Sequence, residues 1–195
     1  MNLPNKLTVL RLCLVPVIVI VLLLPVNIAT NIIGAFIFLA TALTDMLDGK
    51  IARQKGLVTD FGKFLDPLAD KFMVIAAMMC IMYRSHSEPL IFNICMVLVM
   101  VTVFRELAVA SIRLIASKNA NIVVAANMLG KVKTVSQIVM VMAALLEPVL
   151  AKISFLFFLA YYPITIAASV VTLVMTVWSG VVYVKTYWKY LDKNM

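Results

Sequence analysis

The sequence predicts an all-α, polytopic membrane protein: six transmembrane helices in a single domain spanning residues 1–195. Three observations predict it. Hydrophobic residues make up 64% of the chain and charged ones only 13%, whereas an ordinary soluble domain is roughly 45–50% apolar. Six apolar runs are long enough, or nearly so, to cross a hydrocarbon core that needs about 20 helical residues. Basic residues gather at both termini and in alternate connections, as expected for an even number of spans with both ends cytoplasmic.

The first run, Leu7–Leu24, contains Pro16, which predicts a kink whose freed carbonyl is met by neighbouring helices. Its weakly basic start, and the lack of a small-x-small pattern at its close, predict a retained helix rather than a cleaved signal peptide. The second and third runs are Asn31–Asp48 and Phe64–Tyr83, and the fourth, Leu90–Ala116, is the longest and is expected to tilt or extend past the bilayer. Thr134–Leu150 and Pro163–Val184 complete the set. Gly49, Gly62 and Gly130 are expected to punctuate the connections.

On this topology the cytoplasmic side collects Lys6, Arg11, Lys50, Arg53, Lys55, Lys63, Arg113, Lys118, Lys131, Lys133, Lys185, Lys189 and Lys193, while the outside holds Arg84 and Lys152. The net charge of +8 is therefore assigned to topology, and nucleic acid is not an expected partner. Tyr183, Tyr187, Trp188 and Tyr190 read as an interfacial aromatic belt beside membrane lipids. Cys13, Cys80 and Cys95 are isolated within apolar runs, which fits core packing and neither a zinc site nor a disulfide framework. His86 sits in a short polar connection and is expected to be solvated.

Four aspartates interrupt this apolar pattern: Asp45, Asp48, Asp66 and Asp70. One such carboxylate costs about 2.5–3.5 kcal/mol in a membrane segment, and four together repel unless cations offset them. They fall at the predicted cytoplasmic ends of the second and third helices. Asp45 and Asp48 are three apart and Asp66 and Asp70 four apart, so each pair lies on one helical face. Carboxylates are hard oxygen ligands suited to magnesium, manganese or calcium, and no His/Cys set competes. Two such ions about 3.5–4 Å apart would clamp the attacking and leaving oxygens of a phosphoryl displacement. Gly49 and Gly62 would admit a bulky ligand to the backbone, and Arg53 would grip a phosphate bidentately. Two readings compete: solvated helix-end caps, which four aspartates on matching faces with glycines and arginine between them disfavour, and a cation path in a carrier, which would place such groups near the bilayer midplane.

The string Asp45-x-x-Asp48-Gly49-x-x-Ala52-Arg53, eight residues, Gly62-x-x-x-Asp66-x-x-x-Asp70 resembles, without a gap, the signature of the CDP-alcohol phosphotransferases. The resemblance implies a six-helix membrane fold, usually homodimeric, whose polar cavity opens to the cytoplasm. It implies two Mg²⁺ or Mn²⁺ ions held by Asp45, Asp48, Asp66 and Asp70, with Asp70 also the base for the acceptor hydroxyl. It further implies that Gly49, Ala52, Arg53 and Gly62 border the CDP group. Pro4-Asn5-Lys6-Leu7-Thr8 resembles the family's Pro-Asn-x-x-Thr element, which makes Asn5 and Thr8 nucleotide contacts; read by themselves, they serve equally well as helix caps. A Mg²⁺-diphosphate prenyltransferase fits less well, because it lacks the Gly-x-x-Ala-Arg element.

Acceptor choice falls to other residues. Arg105 lies inside an apolar run and needs a partner; Glu106 is adjacent but is expected on a different face. Arg113, close to the same face as Arg105, joins it with Lys131 and Lys133 of the fifth connection in an expected phosphate-binding wall. A phosphorylated polyol needs such a wall and a neutral alcohol does not. The longer resemblance, from Asn2 to Gln137, is to the bacterial members of the family that use CDP-diacylglycerol and glycerol 3-phosphate. Inositol phosphate, serine and phosphatidylglycerol are the alternative acceptors. Ala110-Ser111 and Asn127 depart from the usual pattern near that wall. The expected location is a bacterial inner or plasma membrane.

Overall fold

The computed structural model of the protein describes residues 3–54, 60–120, 128–153 and 162–191. Among them are six helices and no strand: α1 Leu3–Leu23, α2 Ile28–Gln54, α3 Asp60–Arg84, α4 Pro89–Ala120, α5 Met128–Ile153 and α6 Pro163–Leu191. Each expected run falls on one helix, the first overrunning α1 by Leu24, and α4 is the longest. The helices outrun the apolar segments, because backbone hydrogen bonding continues where hydropathy stops. Gly49, Gly62 and Gly130 accordingly lie inside α2, α3 and α5 rather than in the connections. A helical glycine costs only about 1 kcal/mol relative to alanine, too little to end a long helix. Pro16 likewise does not interrupt α1. Among the described residues three helices are long and apolar enough to cross a membrane, through Pro89–Leu114, Met128–Lys152 and Pro163–Trp188; Thr8–Leu23 and Ile28–Thr44 are shorter apolar stretches.

Short-range chemistry sets the helix starts. Asn27 caps α2: its Oδ1 accepts the Thr30 N–H at 2.8 Å, and its own N–H donates to Thr30 Oγ1 at 3.1 Å, so two otherwise orphaned donors are satisfied reciprocally. Pro89 and Pro163 open α4 and α6, where a missing N–H costs nothing. Tyr162 enters α6 in the left-handed region, at φ 55°. The cap of α6 comes from another helix. Glu147 of α5, fully buried, accepts the Ile164 and Thr165 N–H groups at 2.8 and 2.7 Å and the Thr165 hydroxyl at 2.6 Å.

An apolar core joins α1 through α5, with Ile18, Leu22, Phe38, Met73, Met78, Leu98, Met140 and Leu145 at its centre. Gly34 lets α1 and α2 approach closely, since a Cβ there would stand 2.7 Å from Leu22 Cδ2. Ala77 is buried in this core, with Ala76 and Ala144 packed on it, in keeping with small residues at membrane helix contacts. Cys80 and Cys95 are buried as expected, but Cys13 is exposed, on an apolar helix whose outer face needs no polar group.

α6 packs against α4 and α5 through a different kind of seam. Its buried residues are Thr165, Ser169, Thr172, Thr176, Ser179 and Tyr183, spaced 4-3-4-3-4 like the a and d positions of a heptad. Its exposed face carries Val170, Val171, Val174, Val177, Trp178 and Val181. This polarity is reversed relative to a soluble protein and suits lipid outside, with hydroxyls turned inward to bond within α6 and across to its neighbours. Thr172 donates to the Ser136 carbonyl across the interface at 2.9 Å. Tyr183 thus faces the packing, its ring 4.7 Å from that of Tyr187; Trp188 is exposed, and the Tyr190 side chain lies outside those described.

Glu147→Ala removes the buried acceptor for two backbone N–H groups at the start of α6. The expected loss is about 1–3 kcal/mol, measured as a lower unfolding midpoint in detergent, with Glu147→Gln losing less.

Candidate functional site

Consecutive helices alternate in direction, and two cross-bundle contacts fix which ends meet. Glu106, just past the middle of α4, binds Lys133 early in α5, and Arg105 lies against Gly180, just past the middle of α6. At the opposite end Arg84, closing α3, donates to Asn31 near the start of α2, and Glu147 caps α6. The first end therefore gathers the early turns of α1, α3 and α5 with the late turns of α2, α4 and α6. All of the sequence-predicted site residues fall at that end.

Its centre is Glu106, only 6% exposed. Arg105 Nη1 donates to Glu106 Oε1 at 2.9 Å, and Lys133 Nζ donates to the same oxygen. Lys133 is itself 4% exposed. Lys71 Nζ, on α3, stands 3.9 Å from the other carboxylate oxygen, Oε2. One buried carboxylate thus collects three cations from three helices. Removal from water makes each attraction stronger than at a surface, and makes an unpaired member costly. Asp70, one residue before Lys71, lies in electrostatic range of Lys71, Lys133, Arg11 and Glu106.

Two sequence expectations change here. Arg105 and Glu106 were expected on different faces, yet they form an ion pair, because the i, i+1 rule concerns Cβ positions and the flexible arginine stem reaches around. Lys131 and Lys133 were expected in a connection, yet α5 begins at Met128 and places both in its early turns. That helix separates them: Lys133 turns inward to Glu106, while Lys131 is exposed. Arg113 is exposed two turns beyond Arg105 on α4 and takes no part in the Glu106 cluster. Of the four expected wall residues, two meet and two do not.

Thr8 is buried on α1. Asp70 is half-buried on α3. Asp45 and Asp48 lie on α2 and Asp66 on α3, so both helices continue through the aspartate pairs and keep each pair on one face. The side chains of Asn5, Asp45, Asp48, Gly49, Ala52, Arg53, Gly62 and Asp66 lie outside those described. Among the described residues no group of three His, Cys, Asp or Glu side chains surrounds a common point.

Three contributors were not expected from sequence. Arg11, counted only as a topology charge, is 1% exposed and electrostatically coupled to Asp70. A basic residue surrounded by Leu10, Leu12 and Leu14 carried that signal, since such a residue in an apolar helix faces the protein interior. Lys71 carries no signal of its own in the sequence, because its partner Glu106 is remote along the chain. Gly180 had no sequence signal: a Cβ there would stand 3.2 Å from Arg105 Cγ, so its bare backbone admits the arginine stem.

The family model described as CDP-alcohol phosphatidyltransferase matches residues 1–183. A Bacillus subtilis (strain 168) protein named CDP-diacylglycerol–glycerol-3-phosphate 3-phosphatidyltransferase is 38% identical, over 99% of this chain and 95% of its own length. A Shigella flexneri protein of the same name is 33% identical over 93% of this chain and 92% of its own. A third, from Wigglesworthia glossinidia brevipalpis, is 34% identical over 74% and 77%.

Lys133→Met leaves Glu106 buried with a diminished set of cations. Breaking a buried pair from one side typically costs about 3–5 kcal/mol; the expected outcome is a clear fall in the detergent unfolding midpoint, whereas Lys131→Met, on the exposed neighbour, leaves it nearly unchanged.

Proposed function

The chain belongs to the CDP-alcohol phosphatidyltransferase family, and from that premise we propose that it transfers the phosphatidyl group of CDP-diacylglycerol to glycerol 3-phosphate, giving phosphatidylglycerophosphate and CMP. The observation that carries the acceptor assignment is the cation cluster of Lys71, Arg105 and Lys133 around one buried carboxylate beside Asp70. A neutral alcohol has no use for such a cluster, whereas a phosphate monoester does. The names of the relatives point the same way.

Each step follows from what these side chains can do. Arg105 and Lys133 hold the acceptor phosphate, with Lys131 and Arg113 supplying positive charge along its route from the cytoplasm. Asp70 takes the proton from the 1-hydroxyl. The freed oxygen attacks the β-phosphorus of CDP-diacylglycerol, the bond from that phosphorus to the bridging oxygen breaks, and CMP leaves with the electron pair. Asn5, Thr8, Gly49, Ala52, Arg53 and Gly62 border the CDP group. The protein's share is chiefly positioning and electrostatic stabilisation.

The carboxylates of Asp45, Asp48, Asp66 and Asp70 are the donor set for two Mg²⁺ or Mn²⁺ ions. The fit rests on hard oxygen chemistry and on two helices that run unbroken through both pairs. When bound, the ions neutralise the diphosphate and the charge developing on the leaving group.

In this reading all six helices span a bacterial inner or plasma membrane, both termini and the site face the cytoplasm, and the enzyme is a homodimer. The charge asymmetry between the two ends supports that orientation. CDP-diacylglycerol enters sideways from the inner leaflet, and its acyl chains remain among the membrane lipids.

The purified protein should release CMP from CDP-diacylglycerol only when both glycerol 3-phosphate and Mg²⁺ or Mn²⁺ are present, and a chelator should stop it. Release that is independent of the acceptor, or ion flux in proteoliposomes without CMP release, contradicts the proposal. Asp70→Asn should lower turnover at least ~100-fold, the scale of a lost general base, while the protein still inserts and melts as the parent does. Substantial residual turnover removes Asp70 from that role.

A further inference from the structure

Glu106 has two carboxylate oxygens in different circumstances. Oε1 accepts from Arg105 and Lys133. Oε2 is buried and has no hydrogen-bond partner; Lys71 Nζ, at 3.9 Å, is beyond hydrogen-bond reach. A carboxylate that is more than nine-tenths buried with one oxygen unsatisfied carries a large desolvation cost. The unsatisfied oxygen belongs to the same cluster of side chains that is assigned above to a phosphorylated polyol.

We propose that Glu106 is a specificity-determining residue for the acceptor, its Oε2 accepting a hydrogen bond from the hydroxyl on the carbon next to the phosphate-bearing one. This rests on the acceptor reading above. Arg105 and Lys133 are anchored on Oε1, so a phosphate they hold lies beside the carboxylate, and the neighbouring hydroxyl is only a few bonds away. An ionised carboxylate accepts and cannot donate. It therefore favours an alcohol at that carbon, gains nothing from a methylene, and repels a ketone oxygen. The same residue both places the phosphate-binding cations and reads the middle carbon.

Three acceptors isolate this contact: glycerol 3-phosphate, 3-hydroxypropyl phosphate and dihydroxyacetone phosphate. Each presents a primary hydroxyl and a phosphate at the same spacing, and they differ only at the middle carbon, which is CHOH, CH₂ or C=O. For the native enzyme kcat/KM should fall in that order, each step by about tenfold or more, since sites built to bond a hydroxyl reject analogues that lack it. In Glu106→Gln, Arg105 and Lys133 can only donate, so they recruit the amide oxygen and turn the amide NH₂ to the Oε2 position. The ratio of dihydroxyacetone phosphate to glycerol 3-phosphate use should then rise about tenfold or more.

A purely structural Glu106 would lower all three acceptors in parallel, and unchanged ratios in the variant overturn the proposal. The native enzyme suffices if the variant does not fold: equal use of the three acceptors overturns the assignment on its own. Failure of the underlying acceptor reading is separately visible, because no CMP would then be released with glycerol 3-phosphate at all.

Discussion

The structure turns on one buried carboxylate that must not be left alone. Glu106 sits within a helix bundle of largely apolar surroundings, where an isolated charge is prohibitive. Its partners are supplied by three helices: Arg105 by α4 itself, Lys133 by α5 and Lys71 by α3. That requirement fixes the rotation of α4 and α5 about their axes more tightly than apolar packing does, because dispersion tolerates small shifts and a hydrogen-bonded ion pair does not. It also leaves more positive than negative charge at one end of the bundle, which is the property an anionic substrate needs.

The remaining architecture makes that arrangement possible. α6 buries hydroxyls along α4 and α5 and presents the half-buried Gly180, so it approaches closely enough for the Arg105 stem to lie over that glycine. At the far end Glu147 caps α6 from α5, tying together the two helices whose opposite ends flank the ion cluster. The Glu147 cap therefore steadies the bundle at one end, while at the other the Glu106 cluster both steadies it and builds the candidate site. The α1–α5 core between them is apolar and well packed, which holds the two ends in a fixed relation.

Much of this was legible in the amino-acid sequence, for identifiable reasons. Hydropathy located all six helices, since a run of apolar residues in a helix has few alternatives. The spacing of the aspartates put each pair on one face, and the family signature lies in contiguous strings. Long-range pairing was not legible. Nothing in the sequence joins Glu106 to Lys133 or Arg105 to Gly180, and the Arg105–Glu106 pair was misjudged because side-chain length defeats a rule about Cβ spacing. Helix ends were misplaced for a related reason: Gly130 and the lysines after it look like a connection by composition, while hydrogen bonding carries α5 through them. Arg11 counts only toward topology in the sequence, because a count of basic residues records number and not direction.

The central claim is that the Glu106-centred cations are the acceptor's phosphate site. A structure of the protein with Mg²⁺, a CDP-diacylglycerol analogue and glycerol 3-phosphate bound tests it most directly. The account predicts phosphate oxygens within hydrogen-bond distance of Arg105 and Lys133, with Glu106 still bonded to both. A phosphate bound elsewhere, with Arg105 and Lys133 engaged only by Glu106, would contradict it.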